Sequence, residues 1–275
     1  MCLIEDFFLD RERIRKVLRN KIEGELHLDF PARQALEGVL TGSNAEKAVS
    51  DWGYRYKVLR FAAYPAVVKA IISGAPQIRS ALVATAIDAR HAEIIKMHTD
   101  ICTLCNTVPG VKNKNGGDRD FKVLASKLLW LSHPSEIPIS DDLALRAINV
   151  LARLAEKAET PDPDQSDFTL NEFCVFLKLH TLCFSSIYER IDEIVAAEFD
   201  TIFDGATRQV TTITKEDAKR QYGSHVTVID QILLHLGSAV RVKECIIKKT
   251  TKKPATSIAS VKSLGVHKVG VHLTE

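Results

Sequence analysis

Apolar positions recur along most of the chain at helical spacing. Over residues 5–20, Phe7, Phe8, Ile14, Val17 and Leu18 share one side of a helix, with charged residues between them. Ser43-Asn-Ala-Glu46 has the form of a capping box and predicts a helix running into the Trp52–Phe61 stretch. Pro65 and Ser73-Gly-Ala-Pro76 interrupt the pattern. Residues 77–106 read as one long helix, with Ile78, Leu82, Ile87, Ile94, Ile95 and Ile101 apolar. A loop over 108–117 leads to a short, mostly apolar helix over 119–132. His133-Pro-Ser-Glu-Ile-Pro138 ends that helix, and 141–158 is helical again. Beyond the polar linker at 160–167, a second capping box, Thr169-Leu-Asn-Glu172, starts a helix to about Glu198. Residues 215–236 and 238–247 close the helical part. Few stretches alternate with period two; the best is around Val210–Ile213, too short to found a sheet.

The expectation is therefore an all-α, multi-helix globular domain of some eight to ten helices over 1–247, with a subdomain boundary near 160–168. Residues 248–275 read as a basic tail, either disordered or forming one or two added strands.

Composition changes this picture in one respect. The chain of 275 residues has 37 Lys and Arg against 35 Asp and Glu, a net charge of +2. Residues 241–275 alone carry eight positive and two negative groups, a net +6. The first 240 residues hold 29 positive and 33 negative groups, a net −4. An acidic body thus precedes a basic end, and nucleic acid stays open as a partner. No apolar run is long enough to span a membrane, and the acidic start lacks the pattern of a secretory signal. Six cysteines without a disulfide framework fit a reducing, cytoplasmic compartment.

Candidate chemistry lies in residues 118–150. Lys127 has Val123, Leu124, Trp130 and Leu131 as its helical neighbours, so its amine emerges within apolar surface. Desolvation there disfavours the charged form, as an amine nucleophile requires. Lys122 faces Asp118, Arg119, Ala125 and Ser126, a solvated environment. Asp141 opens the following helix, where free N–H groups and the helix dipole stabilise its charge. A free amine beside a carboxylate suits cleavage of a glycosidic bond: the amine attacks the sugar carbon, and the carboxylate steadies the oxocarbenium charge. The bland readings are a snorkelling lysine for Lys127 and a simple helix cap for Asp141.

The pattern Ser126-Lys127-x-Leu-Trp-Leu, then a short turn and Pro138-Ile-Ser-Asp141-Asp-Leu-Ala, resembles the helix-hairpin-helix DNA glycosylases. It is most like the branch with the 8-oxoguanine glycosylase fold, which includes compact bacterial members tied to defence loci. The resemblance covers about 30 of the 275 residues. It implies the helix-hairpin-helix glycosylase fold, with Lys127 as Schiff-base nucleophile and Asp141 as assisting carboxylate. It also implies DNA, or another nucleotide-containing molecule, as substrate and partner, and no cofactor. The family places a glycine-rich turn before the lysine helix. Here Val108-Pro-Gly-Val111 is followed by Lys112 in place of the second glycine. A Lys–Asp spacing of 19 would select Lys122 instead, which stays in reserve. The rival expectation is a non-enzymatic helical interaction or regulatory protein that keeps only the scaffold.

Lys112, Lys114, Gly116, Gly117 and Arg119 form a loop that fits phosphate gripping or a plain surface connection. Trp130 or Phe121 would line a base pocket or fill core. His91, His98, Cys102 and Cys105 lie along one helix; because i to i+14 spans about 21 Å, one metal ion cannot collect them. They read as packing, as do His180 and Cys183. No metal site is expected.

Overall fold

The computed structural model describes residues 2–113, 115–156, 172–206 and 213–251. Among these the chain forms thirteen α-helices and one 3-10 turn, with no strand. The all-α expectation holds, with more and shorter helices than eight to ten.

Several predicted helices are divided, each at a residue that ends the backbone pattern. The span 5–20 is two helices, α1 (Cys2–Phe8) and α2 (Arg11–Gly24), because Asp10 caps α2 by accepting the Arg13 N–H. The span 77–106 is α6 (Ala75–Ile78), an irregular stretch and α7 (Ile87–Asn106). The apolar periodicity crosses the gap, but the hydrogen-bond ladder does not. The span from 169 is α10 (Glu172–Phe184), a 3-10 turn at Ser185–Ile187 and α11 (Tyr188–Ala206). Gly223-Ser224 separates α12 (Lys215–Tyr222) from α13 (His225–Thr251). α13 runs four residues past the boundary at 248. The remainder of the tail, the 160–168 linker, the Thr169 cap and most of Val210–Ile213 lie outside the described residues. The capping box at Ser43 is also not used: α4 (Gly42–Arg55) begins earlier, after Thr41, without a side-chain cap.

The core explains the layout. α8 (Lys122–Ser132) is apolar on nearly every side and is buried from Leu124 to Leu131, as expected of a helix hydrophobic all round. It packs against α7, α6 and α3 (Leu26–Leu36). α9 (Asp142–Glu156) lies along α13, and α10 packs on α9. The α9–α13 crossing is close because position 237 is glycine. A Cβ there would sit 1.9 Å from the Leu143 carbonyl oxygen. α2 lies against α11, α13, α12 and α3. α4 packs on α3 and turns into α5 (Tyr64–Ser73). No helix among the described residues is long and apolar enough to cross a membrane.

The turn after α4 has a definite motif. The Lys57 N–H donates to the Tyr54 carbonyl and the Val58 N–H to the Gly53 carbonyl, the hydrogen-bond pair of a Schellman cap. The residue in the left-handed position of that cap is Lys57, with φ 62°. Glycine is the usual occupant, and a side chain there costs about 1–2 kcal/mol.

Candidate active site

The short connection from α8 to α9 folds back so that Asp141 meets α8. Three bonds hold it. The Ser126 hydroxyl of α8 lies 2.9 Å from the Ser140 carbonyl. The Ile139 N–H donates to Asp230 of α13 at 2.7 Å, and the Ser224 hydroxyl donates to the Pro134 carbonyl at 3.1 Å. Asp141 caps α9: its Oδ1 accepts the N–H groups of Leu143 and Ala144, both at 3.0 Å. Its Oδ2 is left to face the Lys127 Nζ at 3.8 Å. That is an ion-pair separation, too long for a hydrogen bond. The two side chains are 10% and 18% exposed, the carboxylate the more so.

The amine is enclosed by charge that the sequence did not reveal. The Tyr56 ring centre lies 4.9 Å from the Lys127 Nζ. The Tyr56 hydroxyl lies 2.7 Å from Glu25 Oε2 and 3.0 Å from Asp29 Oδ2. Tyr222 donates to the same Asp29 oxygen at 2.6 Å, and Lys21 is ion-paired to Glu25. Helices α2, α3, α4, α8, α12 and α13 therefore contribute to one polar seam. Burial lowers the Lys127 pKa, and attraction to Asp141 only partly offsets this. Burial also opposes charge on Glu25, but Lys21, the Tyr56 hydroxyl and Lys127 together outweigh it and hold the carboxyl below its usual range. Asp29, with less compensation, is pushed by burial up to about 6. Burial raises Asp230 well above the usual carboxylate range, against the Ile139 N–H and Lys21. His180 Nε2 faces Asp230 Oδ1 at 4.0 Å. Burial, then repulsion from His225 and His91, lowers that imidazole to about 3. His180 is therefore neutral near pH 7, and burial favours the protonated form of Asp230 beside it.

The other expected site residues lie elsewhere. Lys122 lines an open groove of about 440 Å³ with Asp118, Arg119, Asp120 and Phe121. The ion-pair partner of Asp141 is thus Lys127 and not the reserve lysine. Trp130 and Phe121 are buried, at 1% and 3% exposure, so Trp130 fills core and Phe121 shows only an edge to the groove. In the loop, Lys112 pairs with Asp118 at 3.1 Å. Asn113 Oδ1 accepts the N–H groups of Asn115 and Gly117, and its carbonyl accepts that of Gly116. Asn106 takes the Arg119 N–H, and the Arg119 guanidinium lies 4.2 Å from the Phe61 ring centre. The backbone donors at 115, 116, 117 and 119 are thus spent within the loop rather than turned outward to a phosphate. Lys114 lies outside the described residues.

His98 stacks on Phe173 at 4.1 Å and its Nε2 meets the Lys122 carbonyl. Cys105 is buried and Cys102 half-buried. No group of three or more His, Cys, Asp or Glu among the described residues is placed to hold a metal ion.

Sequence reasoning missed Lys21, Glu25, Asp29 and Tyr56. The available signal was spacing: Lys21, Glu25 and Asp29 follow one another at i, i+4 and i+8, on one face of a helical stretch. Neither the family models, nor the curated proteins, nor the solved structures contain a match to this chain.

Proposed function

We propose that the chain is a DNA glycosylase-like enzyme that cleaves an N-glycosidic bond, with Lys127 as nucleophile and Asp141 as the assisting carboxylate. The observation that carries this reading is the 3.8 Å approach of a buried amine to a carboxylate whose other oxygen is fixed in a helix cap. The depressed Lys127 pKa favours the free amine that attack needs. The nitrogen lone pair forms a bond to the anomeric carbon as the carbon–base bond breaks, and the departing base takes the electron pair and a proton. Asp141, held by its cap, stabilises positive charge at the sugar as it develops. The attached nitrogen then loses a proton. Its lone pair expels the ring oxygen, which takes up the remaining N–H proton as the ring opens, leaving an imine that hydride can reduce. A base within a duplex must be extruded to reach this amine.

Borohydride trapping tests the reading. Labelled oligonucleotides carrying an abasic site or a damaged base should give a covalent adduct with the wild type and none with Lys127→Met. Absence of any adduct rejects it. An adduct that survives Lys127→Met but disappears in Lys122→Met moves the chemistry to the groove.

One observation favours a second, non-enzymatic reading. Lys127 is almost fully covered, and its charge is countered by Asp141, Glu25 and Asp230. A seam of this kind can serve to fix helix packing in an interaction protein. That reading expects Lys127→Met to change stability while leaving every binding activity intact.

A further inference from the structure

Residues 52–87 contain no Asp or Glu, yet they hold Arg55, Lys57, Arg60, Lys69 and Arg79. The rest of the first 240 residues is correspondingly more acidic. All five cations are exposed, and none is ion-paired to a carboxylate among the described residues. Elsewhere the described cations are commonly neutralised locally, as in Arg15–Glu198, Lys47–Asp51 and Lys96–Asp100.

The α4–α5 corner also interleaves these cations with aromatic rings. Tyr54 is 65% exposed and Tyr64 38%. The Arg60 guanidinium lies 4.9 Å from the Tyr54 ring centre. Two further contacts tie the corner to its surroundings: Phe61 lies under Arg119 of the loop, and Tyr56 lies over Lys127. The Schellman cap fixes Lys57 outward between Tyr56 and Val58. Cations without counter-charges attract a phosphodiester chain. Exposed rings offer stacking faces that only unpaired bases can use, because paired bases keep their faces within the stack.

We infer that the α4–α5 corner binds a single-stranded segment of nucleic acid. Binding there does not depend on the proposed function, although the corner adjoins Tyr56, whose ring faces Lys127. Arg55, Lys57 and Arg60 contact phosphates, and Tyr54 stacks on a base.

The test is fluorescence anisotropy with the full chain and undamaged, labelled 20-nucleotide strands, in DNA and RNA arms and with a duplex control. The expectation is micromolar or tighter binding at low salt, stronger for single strands than for duplex. Arg55→Ala, Lys57→Ala and Arg60→Ala together should weaken it at least tenfold. They should also reduce the slope of log K against log salt by about 2, at roughly 0.7 per phosphate contact on a single strand. Tyr54→Ala should weaken binding about fivefold or more without changing that slope.

Lys57→Gly guards against a folding artefact. It removes one cation and places the favoured residue in the left-handed position, so it should bind several-fold more weakly while melting at the same or a higher temperature. Unchanged binding in the triple variant overturns the inference, as does equal loss from Lys252→Ala with Lys253→Ala, or a preference for duplex. Binding through the corner with no borohydride adduct removes the glycosylase reading and leaves this surface standing. An adduct with normal binding by the triple variant does the reverse.

Discussion

Asp141 performs two tasks with two oxygens, and two substitutions separate them. Asp141→Asn keeps an acceptor for the Leu143 and Ala144 N–H groups but removes the charge facing Lys127. Asp141→Ala removes both. Loss of the cap should cost about 1 kcal/mol. Two unit charges near 4 Å apart attract by about 4 kcal/mol at an effective dielectric constant of about 20. The net loss in Asp141→Asn is smaller, about 1–3 kcal/mol, because Lys127 can shed its proton instead of staying charged.

This escape gives the loss a pH signature. Lys127 titrates below its ordinary 10.5 in the folded chain. Between those two values the unfolded chain holds more protons, and stability rises with pH. Removing Asp141 lowers the folded value further. The gap between wild type and Asp141→Asn should therefore be widest below both folded values and close as pH climbs from the variant's folded value to the wild type's. The further loss from Asn to Ala should be about 1 kcal/mol at every pH. Urea denaturation of the three proteins at pH 6, 8 and 10 measures both differences. A gap that is constant with pH, or Asn as damaging as Ala at alkaline pH, would refute the division of labour.

Two other outcomes follow from the same seam and from the helix crossing beside it. Asp29 is raised from 3.8 to about 6, so its contribution is intact below pH 4, is lost as pH rises through 6, and costs on the order of 3 kcal/mol above that. Asp29→Asn keeps the acceptor for Tyr222 and should be about 1–3 kcal/mol more stable than wild type at pH 7.5, with the gain vanishing near pH 4 in thermal melts at the two pH values. Gly237→Ala places a Cβ against the backbone of Leu143 and should destabilise by about 1–3 kcal/mol or more in urea unfolding; no measurable loss would mean that α9 and α13 do not approach as described.

The helical class was legible because apolar spacing is a local property. The ends of helices were less so. The pattern of 77–106 continues through a segment with no helical hydrogen bonds, since Leu82 still packs against the core. The capping box at Ser43 was misleading because Thr41 precedes an earlier start at Gly42. Lys127 and Asp141 were selected by their local surroundings, and their approach depends on one short connection. Glu25, Asp29 and Tyr56 reach the amine from the α2–α3 junction, α3 and the end of α4, about a hundred residues away in sequence for the two carboxylates. No spacing rule encodes such contacts. The charge reading placed positive potential in the tail and the 112–119 loop, because it divided the chain at residue 240; a finer window finds the acid-free run at 52–87.

The shared hydroxyl of Tyr56 has an evolutionary consequence. One phenol proton cannot serve Glu25 and Asp29 at once, so an acid proton or a counter-ion must complete the set. Neutralising Asp29 meets this need by itself, whereas a charge change at Glu25, Lys21, Lys127, Asp141 or Asp230 is offset only by a compensating change in another. In descendants of a common ancestor these positions should drift together as a covarying group, while the apolar residues of α8 exchange among themselves independently.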